Sequence, residues 1–460
     1  MDMNPTRFLS QTPGVTPTFD AQAKILLQVS EANLARIESE IKALERLRDQ
    51  ERGTIAALRT AIAPIRKLPT ELLVEILLAV RDCFTKLAPR NIKPRIRNLH
   101  ALSQVCVYWR RIVHTTPQLW TDELLMTPDK TPTVAYIACV KEWLERSAPM
   151  NIPVHLEISR EGVDAGPLMD AMVTTAHRWN AAEFTLPSFS LLSRIPSDCL
   201  KSLERVSLQS TDDCLDTLVQ CTGVVSATPH TRAWPASINL SQRHTTALGR
   251  LEDLSIWLGY GHTPDARSVA PLFMCLALPA LKKLDLYDLD SWPSAEFAQF
   301  QLRSPKLESL QFSCVYMQPS DLLSILRHGP SLVELNMGNC VDFFDNSIIS
   351  GLQYSTTHVS PLAPKLETLS LSYTDTDFDE DALDAMIQSR WWTDEQFLAL
   401  PSPPKVSRWS YVEIERGPED FIEDGTLDAI SPRLEAKVDE YRSQGLNIFV
   451  FQLSSLLRVD

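Results

Sequence analysis

Six copies of one hexad constrain this chain more than any other feature. The hexads open at Leu203, Leu251, Leu281, Leu307, Leu332 and Leu366, and each follows the form L-x-x-L-x-L with other apolar residues in some slots. The openings at 251, 281, 307 and 332 fall 30, 26 and 25 residues apart. Pro279, Pro305, Pro330 and Pro364 each stand two residues before the opening leucine. Alternation inside the hexad predicts a short strand, and the stretches between, such as 320–327 and 379–390, carry apolar residues at helical spacing. One strand and one helix cannot bury their own apolar sides. Stacked copies can, by enclosing a continuous core between a parallel sheet and a row of helices. The expected fold class is therefore α/β. An ordinary α/β domain with similar strands leaves the recurring hexad and its upstream proline unexplained.

This period resembles that of a leucine-rich repeat, roughly 20–29 residues. The resemblance is to an irregular solenoid with a parallel sheet over 125–460. Only the copy at Leu332 reaches the expected cysteine at its ninth position, Cys340, and the gap from Leu203 to Leu251 reads as a long polar loop holding Thr228, Pro229, Thr231 and Pro235. Val154 to Ile158 reads as an earlier strand, and Val134 to Arg146 as a helix before it. Val406 to Ile414 and Leu446 to Phe451 read as closing strands, with a helix from Ser431 to Arg442 between them. Trp391 and Trp392 fit either capping core or an anchor for a partner. In each strand the leucines point to the core and the intervening residues to the open, concave face. That face would carry Arg205, Asp253, Lys283, Asp285, Gln311, Glu334, Asn336 and Thr368, with Ser207, Ser255, Ser309 and Ser370 among them. Mixed charge with small polar groups suits a protein or peptide substrate, and it is not basic enough for nucleic acid.

The N-terminal part has a different period. Residues 1–20, with Pro5, Pro13, Gly14 and Pro17, read as a loose tail. Over 21–62 Leu27, Leu34, Ile41, Arg48, Ile55 and Ile62 recur every seven residues, and Ser30, Ile37, Leu44, Glu51 and Leu58 recur beside them. This is a coiled-coil-like helix with a flaw at Arg48 and Glu51, just before Gly53. It either pairs with a second copy as a homodimer or folds back on its own chain.

Between the two lies the stretch 64–120. Leu68 and Pro69 open it, and Leu72, Leu73, Ile76, Leu77 and Val80 follow as the inward stripe of a helix over 70–80. Val74 and Leu78 are left over, an apolar excess that needs either a larger core or a partner. A second helical stripe holds Leu102, Val105, Cys106, Trp109 and Ile112, and T-T-P-Q-L-W closes the segment at Trp120. The order LP, ELL-EI, VC-WR, TP-LW resembles an F-box over 63–124, the three-helix module that docks its carrier on the Skp adaptor of a cullin-RING ubiquitin ligase. A heptad helix running straight into P-I-x-x-L-P is also the layout of many fungal F-box proteins. The resemblance implies adaptor contact through Leu68, Pro69, Leu72, Ile76, Leu77, Val105, Cys106 and Trp109. The stretch 81–99, with Lys86, Arg90, Lys93, Arg95 and Arg97, departs from the compact family pattern and reads as a solvated loop.

Net charge is −14 and the pI about 5.2, which argues against nucleic acid or an anionic membrane as the main partner. Nine cysteines without a C-x-x-C pair fit a reduced compartment, and no signal-peptide-like or membrane-length apolar run is visible, so a cytoplasmic or nuclear setting is expected. No phosphate-cradling, nucleophile-elbow or zinc-hydrolase motif occurs, and the nine histidines are dispersed. The acidic run Asp375, Asp377, Asp379, Glu380, Asp381 lacks the glycine and final Glu of a calcium loop and reads as a helix start. Neither an enzyme nor a cofactor is expected. The chain reads as the substrate-recognition subunit of an SCF-type ligase. The alternative is a non-catalytic interaction scaffold with no ligase role.

Overall fold

The computed structural model describes residues 17–87, 92–160, 162–210, 214–231, 245–258, 269–340, 343–356, 360–374, 379–400, 402–416 and 431–452. The chain divides into two compact units, Met1–Leu77 and Leu78–Asp460, the division falling within one helix.

The first unit is dominated by a single helix, α1 (Pro17–Ile62), which opens four residues earlier than the heptads and so takes in the end of the expected tail. A short 3-10 turn, Pro64–Lys67, follows, and α2 (Thr70–Leu87) begins right after Pro69. The inward face of α2 is Leu73 and Leu77, both fully buried, whereas Leu72 and Ile76 are 52% and 40% exposed. This corrects the expected inward stripe. Apolar residues crowd two faces of the helix, and spacing alone does not say which face is interior.

In the second unit α2 continues to Leu87, and α3 (Ile92–Ser103) follows. The expected loop over 81–99 is thus largely helical, except for residues 88–91, which lie outside the described residues. Ile92, Ile96 and Leu99 keep helical spacing among the basic residues, and Leu99 is buried. The second stripe is also not one helix. The chain turns at Gln104 and Val105, and Cys106 caps α4 (Val107–Thr115), its Sγ accepting from the Trp109 N–H at 3.4 Å. Trp120 closes the segment, buried, with its indole N–H donating to the Val113 carbonyl at 2.7 Å and its ring edge-on to Trp143 of α5 (Val134–Arg146).

Twelve strands then form one sheet, all neighbours parallel and in chain order: β1 (Leu124–Met126), β2 (Ile152–Glu157), β3 (Trp179–Thr185), β4 (Arg205–Ser210), β5 (Ser226–Thr231), β6 (Asp253–Leu258), β7 (Lys283–Leu289), β8 (Ser309–Val315), β9 (Glu334–Gly338), β10 (Thr368–Thr374), β11 (Tyr411–Arg416) and β12 (Asn447–Gln452). All six hexads deliver a strand. Register aligns their fourth slots as Leu254, Leu284, Leu310, Leu335 and Leu369, continued by Val412 and Ile448. The sixth slots align as Ile256, Leu286, Phe312, Met337 and Leu371, continued by Ile414 and Val450. Every one of these is buried. Each such side chain contributes about 1.5–3 kcal/mol by leaving water. The upstream prolines have a local cause. The amides of Leu281, Leu307 and Leu366 close turns onto the carbonyls of Leu278, Ser304 and Ala363, and the Leu332 amide onto Gly329. Each proline is the second residue of its turn, where its fixed φ is already correct.

The gap between Leu203 and Leu251 is a correction. It holds a whole further repeat rather than only a polar loop, and Thr228, Pro229 and Thr231 lie in β5; Pro235 lies outside the described residues. Register places Ala227 opposite Val206 and Pro229 opposite Leu208. The proline has no amide to donate, and pairing with β6 skips positions 228 and 229. Helices back the sheet at Ser294–Leu302, Pro319–His328, Asn346–Leu352, Glu380–Ser389 and Pro432–Ser443. Asp379 caps the fourth of these, accepting from the Asp381 and Ala382 amides, as expected for the acidic run; Asp375 and Asp377 lie outside the described residues.

Near the C-terminal end Arg390 is completely buried, with no carboxylate paired to it among the described residues. Its guanidinium donates to the carbonyls of Leu352 (2.9 Å), Ala363 (3.0 Å) and Leu362 (2.6 Å) and lies over the Trp409 ring. Burial lowers its pKa to about 10. Arg390→Leu removes the guanidinium donor from three carbonyls, of which only Ala363 keeps another, the Leu366 amide, and should cost about 3 kcal/mol or more. Urea unfolding of the two proteins measures this, with Arg390→Lys falling between them; equal midpoints would contradict the assignment.

Candidate interaction surfaces

The open face of the sheet collects the residues between the leucines into lanes. One lane runs Arg205, Ser226, Asp253, Lys283, Ser309, Glu334, Thr368 across adjacent strands. The next runs Ser255, Asp285, Gln311, Asn336, Ser370. All eight open-face residues expected from the hexads therefore come together. Asp285 needs correction, because it is 5% exposed. It accepts from Ser255 Oγ at 2.9 Å and sits 3.2 Å from Lys283 Nζ, so it organises its neighbours rather than presenting itself. Ser370 is likewise buried and donates to Glu413 at 2.7 Å.

A third lane, one alternation beyond the hexad, went unread in the sequence: His230, Trp257, Tyr287, Ser313, Gly338, Ser372. Its first three rings stack. Tyr287 lies 3.7 Å from Trp257 with planes 9° apart, and His230 lies 5.4 Å from Trp257 at 8°. Trp257 remains 36% exposed. Burial lowers the His230 pKa, so the ring stacks as a neutral imidazole near neutral pH. Burial raises the Tyr287 phenol, and the Asp285 carboxylate acts in the same direction. The result is a flat aromatic platform in line with a lane of small residues and bordered by Ser255 and Asp285, a surface that can hold an extended chain by stacking and hydrogen bonds. Continuing the period-two pattern past Ile256 and Leu286 would have found it.

Toward the N-terminal edge of the sheet, buried His155 lies between two carboxylates, its Nδ1 3.4 Å from Glu183 and 3.7 Å from Glu123. The three donor groups lie within 4.8 Å of one another. The same set would serve as one nitrogen and two oxygen ligands to a divalent cation. Burial pushes the Cys221 and Cys340 thiols up to about 12, which marks them as core thiols rather than nucleophiles. Trp391 is buried, donates to Gln444 at 3.1 Å and lies under Arg408, so it belongs to the closing core.

On the first unit Pro69, Leu72 and Ile76 are exposed, Leu68 is half-buried, and Leu77 is fully buried. Leu77 is therefore interior and cannot reach an adaptor. On the second unit Val105 is exposed, while Cys106 and Trp109 are half-buried. No helix among the described residues is long and apolar enough to cross a membrane.

The F-box-like family model matches residues 65–122. Among solved structures the chain is similar to an internalin from Listeria monocytogenes, with 10% sequence identity, a TM-score of 0.35, and 76% of this chain and 92% of that one covered. No curated protein matches the chain. Residues 65–122 are thus an F-box-like segment, followed by strands and helices in a leucine-rich-repeat-like arrangement.

His230 also makes stability depend on pH. An imidazole with a lowered folded pKa stays neutral while the unfolded chain takes up a proton, so stability falls as pH drops below 6.5. His114 shifts in the same direction, through burial and then Arg146. Denaturant midpoints between pH 7 and 5.5 should decline in the native protein and decline less in His230→Phe, which keeps the stack without the titration. Identical profiles would remove His230 from this account.

Proposed function

We propose that the protein is the substrate-recognition subunit of a cullin-RING ubiquitin ligase. The F-box-like segment holds it on a Skp-type adaptor, and the open face of the repeat sheet holds the target. One observation carries this reading: the F-box-like match falls on a helix whose Leu72 and Ile76 face outward although both are apolar. Outward leucine and isoleucine beside an exposed proline are costly in water and are accounted for by a partner. The chain's own contribution is proximity. A target held on the platform of Trp257 and Tyr287 shares one assembly with the ubiquitin-charged enzyme, which raises its effective concentration without lowering a chemical barrier in this chain.

Co-expression with a Skp adaptor and affinity capture tests the first half. Wild type should retain the adaptor, and Leu72→Ala with Ile76→Ala should weaken it roughly 100-fold while leaving circular dichroism unchanged. A well-folded wild type that captures no adaptor sinks the ligase reading and leaves the scaffold. The second half is tested by selecting peptides on the full chain from a random library. Their affinity should fall roughly tenfold or more with Trp257→Ala or Tyr287→Ala and stay unchanged with Leu302→Ala, a control on an exposed residue of a backing helix. Binders indifferent to the platform would place the target site elsewhere.

A further inference from the structure

The apolar stripe of α1 is exposed along its whole length. Leu34, Ile37, Ile41, Leu44, Ile55, Leu58 and Ile62 are between 46% and 72% exposed. A helix with such a stripe draws its stability from whatever covers it. The charges on the stripe and beside it say what does so. We propose that α1 pairs antiparallel with α1 of a second copy of this chain, with the two-fold axis between Asp49 and Gln50.

In that register every layer of the seam is matched. Leu44 meets the partner's Ile55, Ile41 meets the partner's Leu58, and Ile37 meets the partner's Ile62, each pair repeated by symmetry. The flaw in the heptads falls at the centre and corrects itself, since Arg48 faces the partner's Glu51 and Glu51 faces the partner's Arg48. Both side chains are exposed in the single chain, where the ion pair of Arg48 among the described residues is with its sequence neighbour Asp49 at 3.1 Å. The flank agrees independently. Glu31, Glu38 and Glu45 occupy one heptad position in the first half of the helix, and Arg52 and Arg59 occupy it in the second. An antiparallel pair sets this position against itself in reverse, so Glu45 lies within a turn of the partner's Arg52 and Glu38 within a turn of the partner's Arg59. The other flank holds Glu40, Leu47, Thr54 and Ala61 and brings no like charges together. Gly53 is on the outer side, where a missing side chain removes no contact.

A parallel pair in register does the opposite. It sets Arg48 against the partner's Arg48, Glu51 against the partner's Glu51, and Glu40 beside the partner's Glu45. The matched overlap spans residues 37–62, about 39 Å of helix at 1.5 Å per residue. That is enough seam for a specific dimer, and a central charged pair is a recognised device for fixing register at some cost in stability.

The test uses the full chain. Light scattering on a sizing column should give a dimer. Ile41→Cys and Leu58→Cys chains, mixed and mildly oxidised, should cross-link to each other, and neither should cross-link to itself. Wild type serves as control for the nine native cysteines. Glu45→Arg should weaken the dimer roughly tenfold, and Glu45→Arg with Arg52→Glu should restore it. Because these side chains are exposed, the variants remain folded by circular dichroism. A monomer at all concentrations, which assigns the stripe to another protein or to this chain itself, overturns the proposal. So does self-cross-linking of Ile41→Cys alone, the signature of a parallel pair. None of these outcomes depends on adaptor binding.

Discussion

The matched register of inward side chains is the constraint on which the repeat unit depends. The fourth and sixth slots of each hexad stand over those of the next strand, and the backbone pairing that holds them there is parallel throughout. A slip of one residue would turn a strand's leucines outward and its polar residues inward. The turn before each strand protects against that slip. In the four turns before β7 to β10 a proline sets the entry angle, and the opening leucine's amide closes the turn, so these repeats enter the sheet in the same phase. The chemistry of the open face is a by-product of this phase. Lys283, Asp285 and Tyr287 share that face because Leu284 and Leu286 occupy the other.

A sheet built this way still has ends and loops to secure, and buried arginines serve there. Arg178 reaches the carbonyls of Leu144 and Met150 and the Ser147 hydroxyl, as Arg390 reaches three carbonyls at the far end. A guanidinium can satisfy several loop carbonyls from one fixed plane, which an ammonium cannot do. At the last strand Arg442 donates to the Ile448 carbonyl at 2.7 Å and lies over Phe449. A charged group held at an outer strand discourages pairing with a further strand.

The hexad strands were legible because leucine marked three slots in six. β5 was not, since Val224, Ala227 and Pro229 fill the same slots with residues that read as a turn. The aromatic platform escaped for a different reason. His230, Trp257 and Tyr287 are far apart in the chain, and only the register makes them a stack. At the F-box-like segment the motif order was legible and the faces were not. Leu72 and Leu73 are adjacent leucines on one helix, one exposed and one buried, and their order along the chain does not distinguish them. The basic residues after Arg81 resembled a solvated loop because charge is a weak guide to helix when the apolar residues among them are sparse.

The orientation of an α1 pair decides how two copies could share work. In a parallel pair both chains leave the seam side by side, about 10 Å apart, the ordinary spacing of packed helices. In the antiparallel register the two Ile62 residues lie on opposite sides of the axis, about 38 Å apart at 1.5 Å per residue. The two chains therefore leave the seam at opposite ends rather than side by side. The flaw at Arg48 and Glu51 then has a use: it weakens the seam slightly and disfavours the parallel arrangement, in which like charges would meet.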